Sequence, residues 1–345
     1  MYPKNNKLPN KIGIYHNGGL GDWLLLNPTL QEIKRRSPKT KIYIVSSNKI
    51  RPLLKAERNI DGYSTLPDWS IFKNNFRYDD DIILSNFFGF MRLTNCKQHW
   101  INFAFKIFNL DNRNVKPSIY LDQNEENFGR SCAKLFKNRI IILCNNTSES
   151  FKKWDTKRWE RVIKKCANYV FVQIGSRSSE PIDGALNMLG KTTLTQAMSL
   201  VKYSKLVVTV DGIFNHVANV FDVPKVILCG LYNPRNFGYY SNTINIWKKI
   251  NCSPCFNLTN FPTQECKERC VNNKKTPQCM LAIEESEVIN AIKKMLKEKH
   301  DPNIKYYKFK PIGRNACLDC KHKDICNIDS FKVKFCNLFN LQLIF

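Results

Sequence analysis

Three segments of the chain combine glycine, carboxylate, lysine and histidine in patterns that can do chemistry. The first is His16-Asn17-Gly18-Gly19-Leu20-Gly21-Asp22. Glycines let backbone approach a ligand closely, and Asp22 falls where a helix should begin. A carboxylate there can belong to a ligand site at the glycine turn, or it can satisfy free helix amides and the helix dipole. Spacing alone leaves both open. The segment is neither G-x-G-x-x-G nor a Walker loop. The second is Asp211-Gly212-Ile213-Phe214-Asn215-His216. Backbone amides at a helix start attract anions. His216 can add a donor to a phosphate, or be a satisfied histidine at a helix start. The third, residues 145–154 (NNTSESFKKW), joins hydroxyls to Lys152 and Lys153. It can neutralise a diphosphate, or simply be a solvated loop.

The elements around these segments alternate strand with helix. Residues 11–17 predict a strand, residues 18–21 a tight glycine turn, and residues 22–36 a helix that Pro38 stops. Residues 41–46 and 81–84 predict the next strands. This strand–turn–helix–strand order implies a parallel sheet. The pattern restarts after a join at 116–137. Residues 139–144 (RIIILC) form a continuous apolar run of the kind buried parallel strands show. Further strands are predicted at 169–175, 205–210 and 225–230. Helices are predicted at 154–166, 194–201, 216–221 and 283–297. Doubly wound α/β sheets bind ligands beyond the carboxyl ends of their strands, and all three segments fall there. The expected fold is α/β with two Rossmann-like domains facing a cleft, residues 1–137 and 138–300, and a cysteine-rich tail at 301–345.

Composition sets wider limits. The chain has 345 residues and is 43% hydrophobic, enough for two buried cores. No run of about 18 apolar residues predicts a membrane-crossing helix, and the N-terminus lacks the apolar core of a signal peptide. The expectation is a cytoplasmic protein, at most peripheral at the inner membrane. A net charge of +25 suits nucleic acid, an anionic membrane surface or a phosphate-rich substrate, and equally a merely solvated basic surface. Of 14 cysteines, Cys96, Cys132, Cys144, Cys166 and Cys229 are scattered as small buried apolar residues would be. The others fall between Cys252 and Cys336, where the absence of a secretory signal argues against disulfides.

Together the motifs resemble the family 9 glycosyltransferases, the ADP-heptose:lipopolysaccharide heptosyltransferases among them. The opening is similar to their G-x-[LI]-G-D pattern, here Gly18 to Asp22, continued by Pro28 and Leu30. Lys152-Lys153-Trp154 resembles their K-x-W element. Asp211 through His216 and Ala218, then Pro224 to Gly230, resemble D-[ST]-G-x-x-H-x-A and P-x-[VI]-x-L-x-G. The likeness spans residues 11 to 295. The chain departs from the pattern at Asn27, Gly212 and Ile213, and Gly212 removes a hydroxyl expected near the donor phosphates.

The resemblance implies the GT-B fold and an inverting transfer that needs no metal or other cofactor. Asp22 would be the general base, in a loop with Gly18, Gly19 and Gly21 on the acceptor side. Lys152 and the amides near Gly212 to His216 would stabilise the leaving diphosphate. Asp211 would hold the donor sugar or order its loop, and Glu180 would contact the ribose. The donor would be a nucleotide sugar, ADP-heptose favoured. The acceptor would be a glycan or lipid-linked glycan such as a lipopolysaccharide core, with contact to an anionic membrane. Two alternatives remain: heptosyl transfer to a protein acceptor, and a non-enzymatic basic protein that binds nucleic acid. Dispersed basic residues and cysteines without paired histidines count against nucleic acid.

The C-x₂-C spacings also suit tetrahedral thiolate sites for structural zinc or iron. One set is Cys252, Cys255, Cys270 and Cys279, with Cys266 competing for a place. The other is Cys317, Cys320, Cys326 and Cys336.

Overall fold

The computed structural model describes residues 8–16, 18–64, 81–84, 99–111, 115–145, 152–231, 233–234, 241–250, 253–254, 276–297, 308–311 and 341–344. Its first half holds β1 (Lys11–His16), α1 (Leu20–Arg36), β2 (Lys41–Ser46), α2 (Arg51–Ala56), β3 (Gly62–Ser64), β4 (Asp81–Leu84) and α3 (Trp100–Ile107). Its second half holds α4 (Gln123–Leu135), β5 (Ile140–Cys144), α5 (Thr156–Lys165), β6 (Val170–Gln173), β7 (Leu186–Asn187), α6 (Leu194–Lys202), β8 (Leu206–Val210), α7 (Ile213–Val220), β9 (Lys225–Cys229), β10 (Thr243–Trp247), α8 (Gln278–Leu281) and α9 (Glu285–Leu296). In the tail, β11 (Lys308–Pro311) pairs antiparallel with β12 (Leu341–Ile344).

Both sheets are parallel. The first has the order β3-β2-β1-β4 and the second β10-β9-β8-β5-β6-β7. Counted from its own first strand, the second sheet follows the doubly wound dinucleotide-binding order, and the first sheet follows the start of it. The strand order therefore reverses between β1 and β4, and again between β5 and β8. Crevices open at the carboxyl ends of such strand pairs. The loops that leave β1, β5 and β8 are the three segments singled out by their chemistry.

Strand β5 shows why its apolar run is unbroken. Ile140, Ile142 and Cys144 face one core, while Ile141 and Leu143 face another. The first core continues through α1 and α3 into the first sheet, so the two halves share one apolar body. The second core lies under α5 and α9 and includes Trp154, Trp159 and Cys279. Helix α4, part of the predicted join, docks on α6 at a glycine. Gly129 N donates to Ser199 Oγ at 3.1 Å, and a Cβ at Gly129 would lie 2.5 Å from the Ser199 carbonyl oxygen.

Helix starts differ from the sequence expectation in two places that matter. α1 begins at Leu20, because Gly19 takes extended backbone as its N-cap. α7 begins at Ile213 with Gly212 as N-cap, so His216 lies one turn inside the helix instead of at its start. Strands β3, β7 and β10 were not anticipated. Cys132, Cys144, Cys166 and Cys229 are buried, as small apolar residues would be, and Cys96 lies outside the described residues.

Candidate active site

The site is assembled from the ends of β1, β5 and β8. Strand β1 ends at His16, which is fully buried and edge-on to Trp23, with ring centroids 5.8 Å apart. Ser46 Oγ donates to the His16 carbonyl at 2.6 Å and lies 3.3 Å from His16 Nδ1. The hydroxyl has one proton, already given to the carbonyl. It can therefore only accept from the ring, which puts the ring proton on Nδ1. The chain then turns through Gly18 and Gly19 into α1. Gly19 N donates to Asp22 Oδ2 at 2.6 Å, and this bond holds the carboxylate against the turn that carries the glycines.

In the second half, Lys152 from the β5 loop meets Asp211 from the end of β8. Lys152 Nζ lies 3.4 Å from Asp211 Oδ2, and the side chains are 14% and 13% exposed. An ion pair this shielded is stronger than a surface pair. Asp211 is fixed by its own backbone, whose N donates to the Leu228 carbonyl at 3.2 Å. Cys229, at the end of β9, adjoins the pair. Burial first, and then the Asp211 carboxylate, push its thiol well up, against the opposing effect of Lys152. It remains a neutral thiol in the wall of the site.

The two halves touch at Gly21 and His216. A Cβ at Gly21 would lie 2.9 Å from His216 Cδ2 and 3.2 Å from Nε2, so only glycine lets α1 approach the imidazole this closely. His216 is buried, and its pKa is lowered to about 4. Desolvation is the main cause; the Asp211 carboxylate opposes it, and His99, Lys152 and Lys225 add to it. A neutral ring offers one donor and one acceptor, not a positive charge. His99, from the first half, N-caps α3 by accepting from Ile101 N at 3.3 Å through Nδ1. Its proton is therefore on Nε2.

The structure thus brings together Gly19, Gly21 and Asp22 from one half with Lys152, Asp211, Gly212 and His216 from the other. Gly18 lies in the turn beside them. Glu180 is placed apart, on the loop after β6. Its Oε2 accepts from Thr156 Oγ1 at 2.8 Å, and its carbonyl accepts from Gln173 Nε2 at 2.8 Å. His99 and Cys229 were not anticipated as part of the site. His99 has no local signal, and Cys229 has only its position at a strand end.

Of the cysteines proposed as metal ligands, Cys279 is described. Cys252, Cys255, Cys266, Cys270, Cys317, Cys320, Cys326 and Cys336 lie outside the described residues. No three metal-ligating side chains group together among the described residues. Cys279 is buried at the end of β9. Its Sγ lies 2.8 Å from the position of a Cβ on Gly230, and the Gly230 carbonyl accepts from Ser253 Oγ. Ser253 follows Cys252 directly, so two distant stretches of the cysteine segment converge on the end of β9.

Two doubly wound sheets with a shielded lysine–carboxylate pair at one switch point, a carboxylate at the other, and a tight contact between them fit the GT-B class of glycosyltransferases. The glycosyltransferase family 9 (heptosyltransferase) model matches residues 93–264. Over these residues the chain is similar to this family. Among solved structures it is similar to the family 9 glycosyl transferase from Veillonella parvula DSM 2008, with TM-score 0.65 and 17% identity, covering 85% of this chain and 99% of that one. It is similar to the E. coli ADP-heptose lps heptosyltransferase II, with TM-score 0.58 and 17% identity over 83% of this chain and 98% of that one. It is also similar to the iron-containing dodecameric glycosyltransferase TibC from enterotoxigenic E. coli H10407, with TM-score 0.63 and 18% identity over 84% and 77%. At these identities the likeness establishes the fold. No curated protein matches the sequence. No described helix is long and apolar enough to cross a membrane.

Proposed function

We propose that the protein transfers a sugar, heptose favoured, from a nucleoside-diphosphate donor to a glycan acceptor such as a lipopolysaccharide core, with inversion at the anomeric carbon. The observation that carries this reading is the contact of Gly21 with His216. It sets the Asp22 loop of one half against the Lys152–Asp211 pair of the other. Asp22 takes the acceptor hydroxyl proton as the oxygen attacks the anomeric carbon. The bond to the diphosphate breaks on the opposite face, and Lys152 and the amides at the start of α7 receive the departing negative charge. Asp211 orients Lys152 and the donor sugar. No step requires a metal. The likeness to the E. coli ADP-heptose lps heptosyltransferase II supports ADP-heptose as donor, and the net charge of +25 supports a peripheral position at an anionic membrane, on its cytoplasmic side.

The test is turnover of ADP-, GDP-, UDP- and dTDP-sugars, ADP-heptose first, with glycan and protein acceptors in parallel. Wild-type protein should turn over one donor, and Lys152→Met should lower its kcat/KM by about 10²-fold, as loss of one preorganised donor does. If the protein neither binds nor turns over any nucleotide sugar, the reading fails.

The cysteine segment is proposed as a structural thiolate site for zinc or iron, with Cys279 joined by Cys252, Cys255 and either Cys266 or Cys270; the tail set is a second one. The convergence of Ser253 and Cys279 on Gly230 supports the first. Elemental analysis of protein purified without chelators should find zinc or iron, reduced in Cys279→Ser. Metal-free, fully folded protein would set this aside.

A further inference from the structure

The loop that carries Lys152 leaves β5 at Asn145 and returns at Trp154, and one side chain closes its base. Asn145 Nδ2 donates to the Trp154 carbonyl at 2.8 Å, and Asn145 Oδ1 accepts from Trp154 N at 2.9 Å. The amide thereby reproduces the paired bonds that two backbone strands would exchange. Trp154 is itself fixed. It is buried at 1% exposure and packs edge-on to Trp159, with ring centroids 4.7 Å apart. The Arg158 guanidinium lies 5.9 Å from the Trp154 ring. Arg158 Nη1 donates to the Leu281 carbonyl at 2.9 Å and the Ile283 carbonyl at 2.6 Å. The far end of the loop is therefore tied to the segment just after Cys279. Lys152 stands two residues before this fixed point.

A lysine side chain has many rotamers and no planar fork to direct it. Its aim depends on where its backbone is held. We propose that Asn145 is a positioning residue: by clamping both backbone groups of Trp154, it sets the Lys152 ammonium beside Asp211, where the leaving diphosphate is received. The inference rests on the reading of Lys152 as a diphosphate ligand and extends it to a residue that touches no substrate.

The experiment is calorimetric titration of ADP, GDP, UDP and dTDP into wild type, Asn145→Ala, Asn145→Asp, Lys152→Met and the Asn145→Ala/Lys152→Met double variant. Thermal midpoints confirm that each is folded. Asn145→Ala should weaken the preferred diphosphate by about tenfold to a hundredfold, the scale of an ångström-level misplacement. Asn145→Asp keeps the acceptor for Trp154 N, loses the donor to its carbonyl, and should also weaken binding. It serves in place of Asn145→Ala should that variant not fold. The decisive readout is the cycle: with Lys152 already gone, removing Asn145 should change affinity little, because residues acting through one another are not additive. Unchanged affinity in both Asn145 variants, or fully additive losses, would overturn the inference while leaving the transferase reading intact. If wild type binds none of the four diphosphates, both fall.

Discussion

Asp22→Asn is expected to lower sugar transfer by about 10²–10⁴-fold, the range a well-placed general base contributes, while leaving donor binding and stability nearly unchanged. The structure makes this substitution cleaner than Asp22→Ala. Asp22 Oδ2 accepts from Gly19 N at 2.6 Å, and an asparagine at this position still presents a carbonyl oxygen to that amide. The turn through Gly18 and Gly19 keeps its bond. What is lost is the ability to accept a proton, together with a favourable charge in the first turn of α1 that is typically worth about 0.3–1 kcal/mol. Asp22→Ala removes the base and the bond together, so its larger effect could not be assigned. The measurement is single-turnover transfer from the preferred donor, with donor affinity determined alongside. Transfer within a fewfold of wild type would remove Asp22 from the role of base. Loss of transfer together with loss of donor binding would show that the carboxylate shapes the site and does not act in the chemical step.

The sequence pattern carried much of this arrangement, and the exceptions have physical causes. Strands β2 and β4 have the bounds expected, because each is an apolar stretch entered from a polar or turn segment. The three-residue β3 and two-residue β7 are too short to show any periodicity and exist through pairing with β2 and β6. Strand β10 has a visible alternation in Thr243-Ile244-Asn245-Ile246-Trp247, within a polar stretch that hides it. The candidate segments were legible as glycine, aspartate and lysine placed at strand ends, although each also had a plain structural reading. Their pairings were not. Lys152 with Asp211, and Gly21 with His216, are far apart in the chain and are joined only by where β5 meets β8 and where α1 packs on α7. The shift of α7 to an earlier start has a direct consequence. It moves His216 from the helix start to a buried position one turn inside, where burial keeps the imidazole neutral.

Three such imidazoles give the protein a steep acid sensitivity. His16, His99 and His216 each have their pKa lowered from the ordinary value of 6.5 to about 4, in every case mainly by burial. Folded protein therefore keeps the rings neutral where the unfolded chain would bind protons. Between pH 6.5 and 4 the unfolded state holds more protons, so stability falls as pH falls through that window. Above pH 6.5 their contribution to the slope fades, and it is nearly gone by about pH 8. Each ring adds at most about 1.4 kcal/mol per pH unit inside the window. Three together can remove an amount comparable to the roughly 5–15 kcal/mol that holds an ordinary protein folded. Glu57 acts in the opposite direction: burial raises its carboxyl pKa, against hydrogen bonds from Asn59 and Asn27, and so offsets at most one proton. Urea midpoints measured from pH 8 to pH 4.5 should be level at first and then drop, with a slope approaching two to three protons by pH 5. His16→Gln should reduce that slope by one proton if the variant folds, since the glutamine amide has no charged form to exclude. A stability profile that stays flat between pH 7 and pH 5 would mean that these rings are solvated enough to titrate in place, and the close packing of α1 against His216 could not then hold.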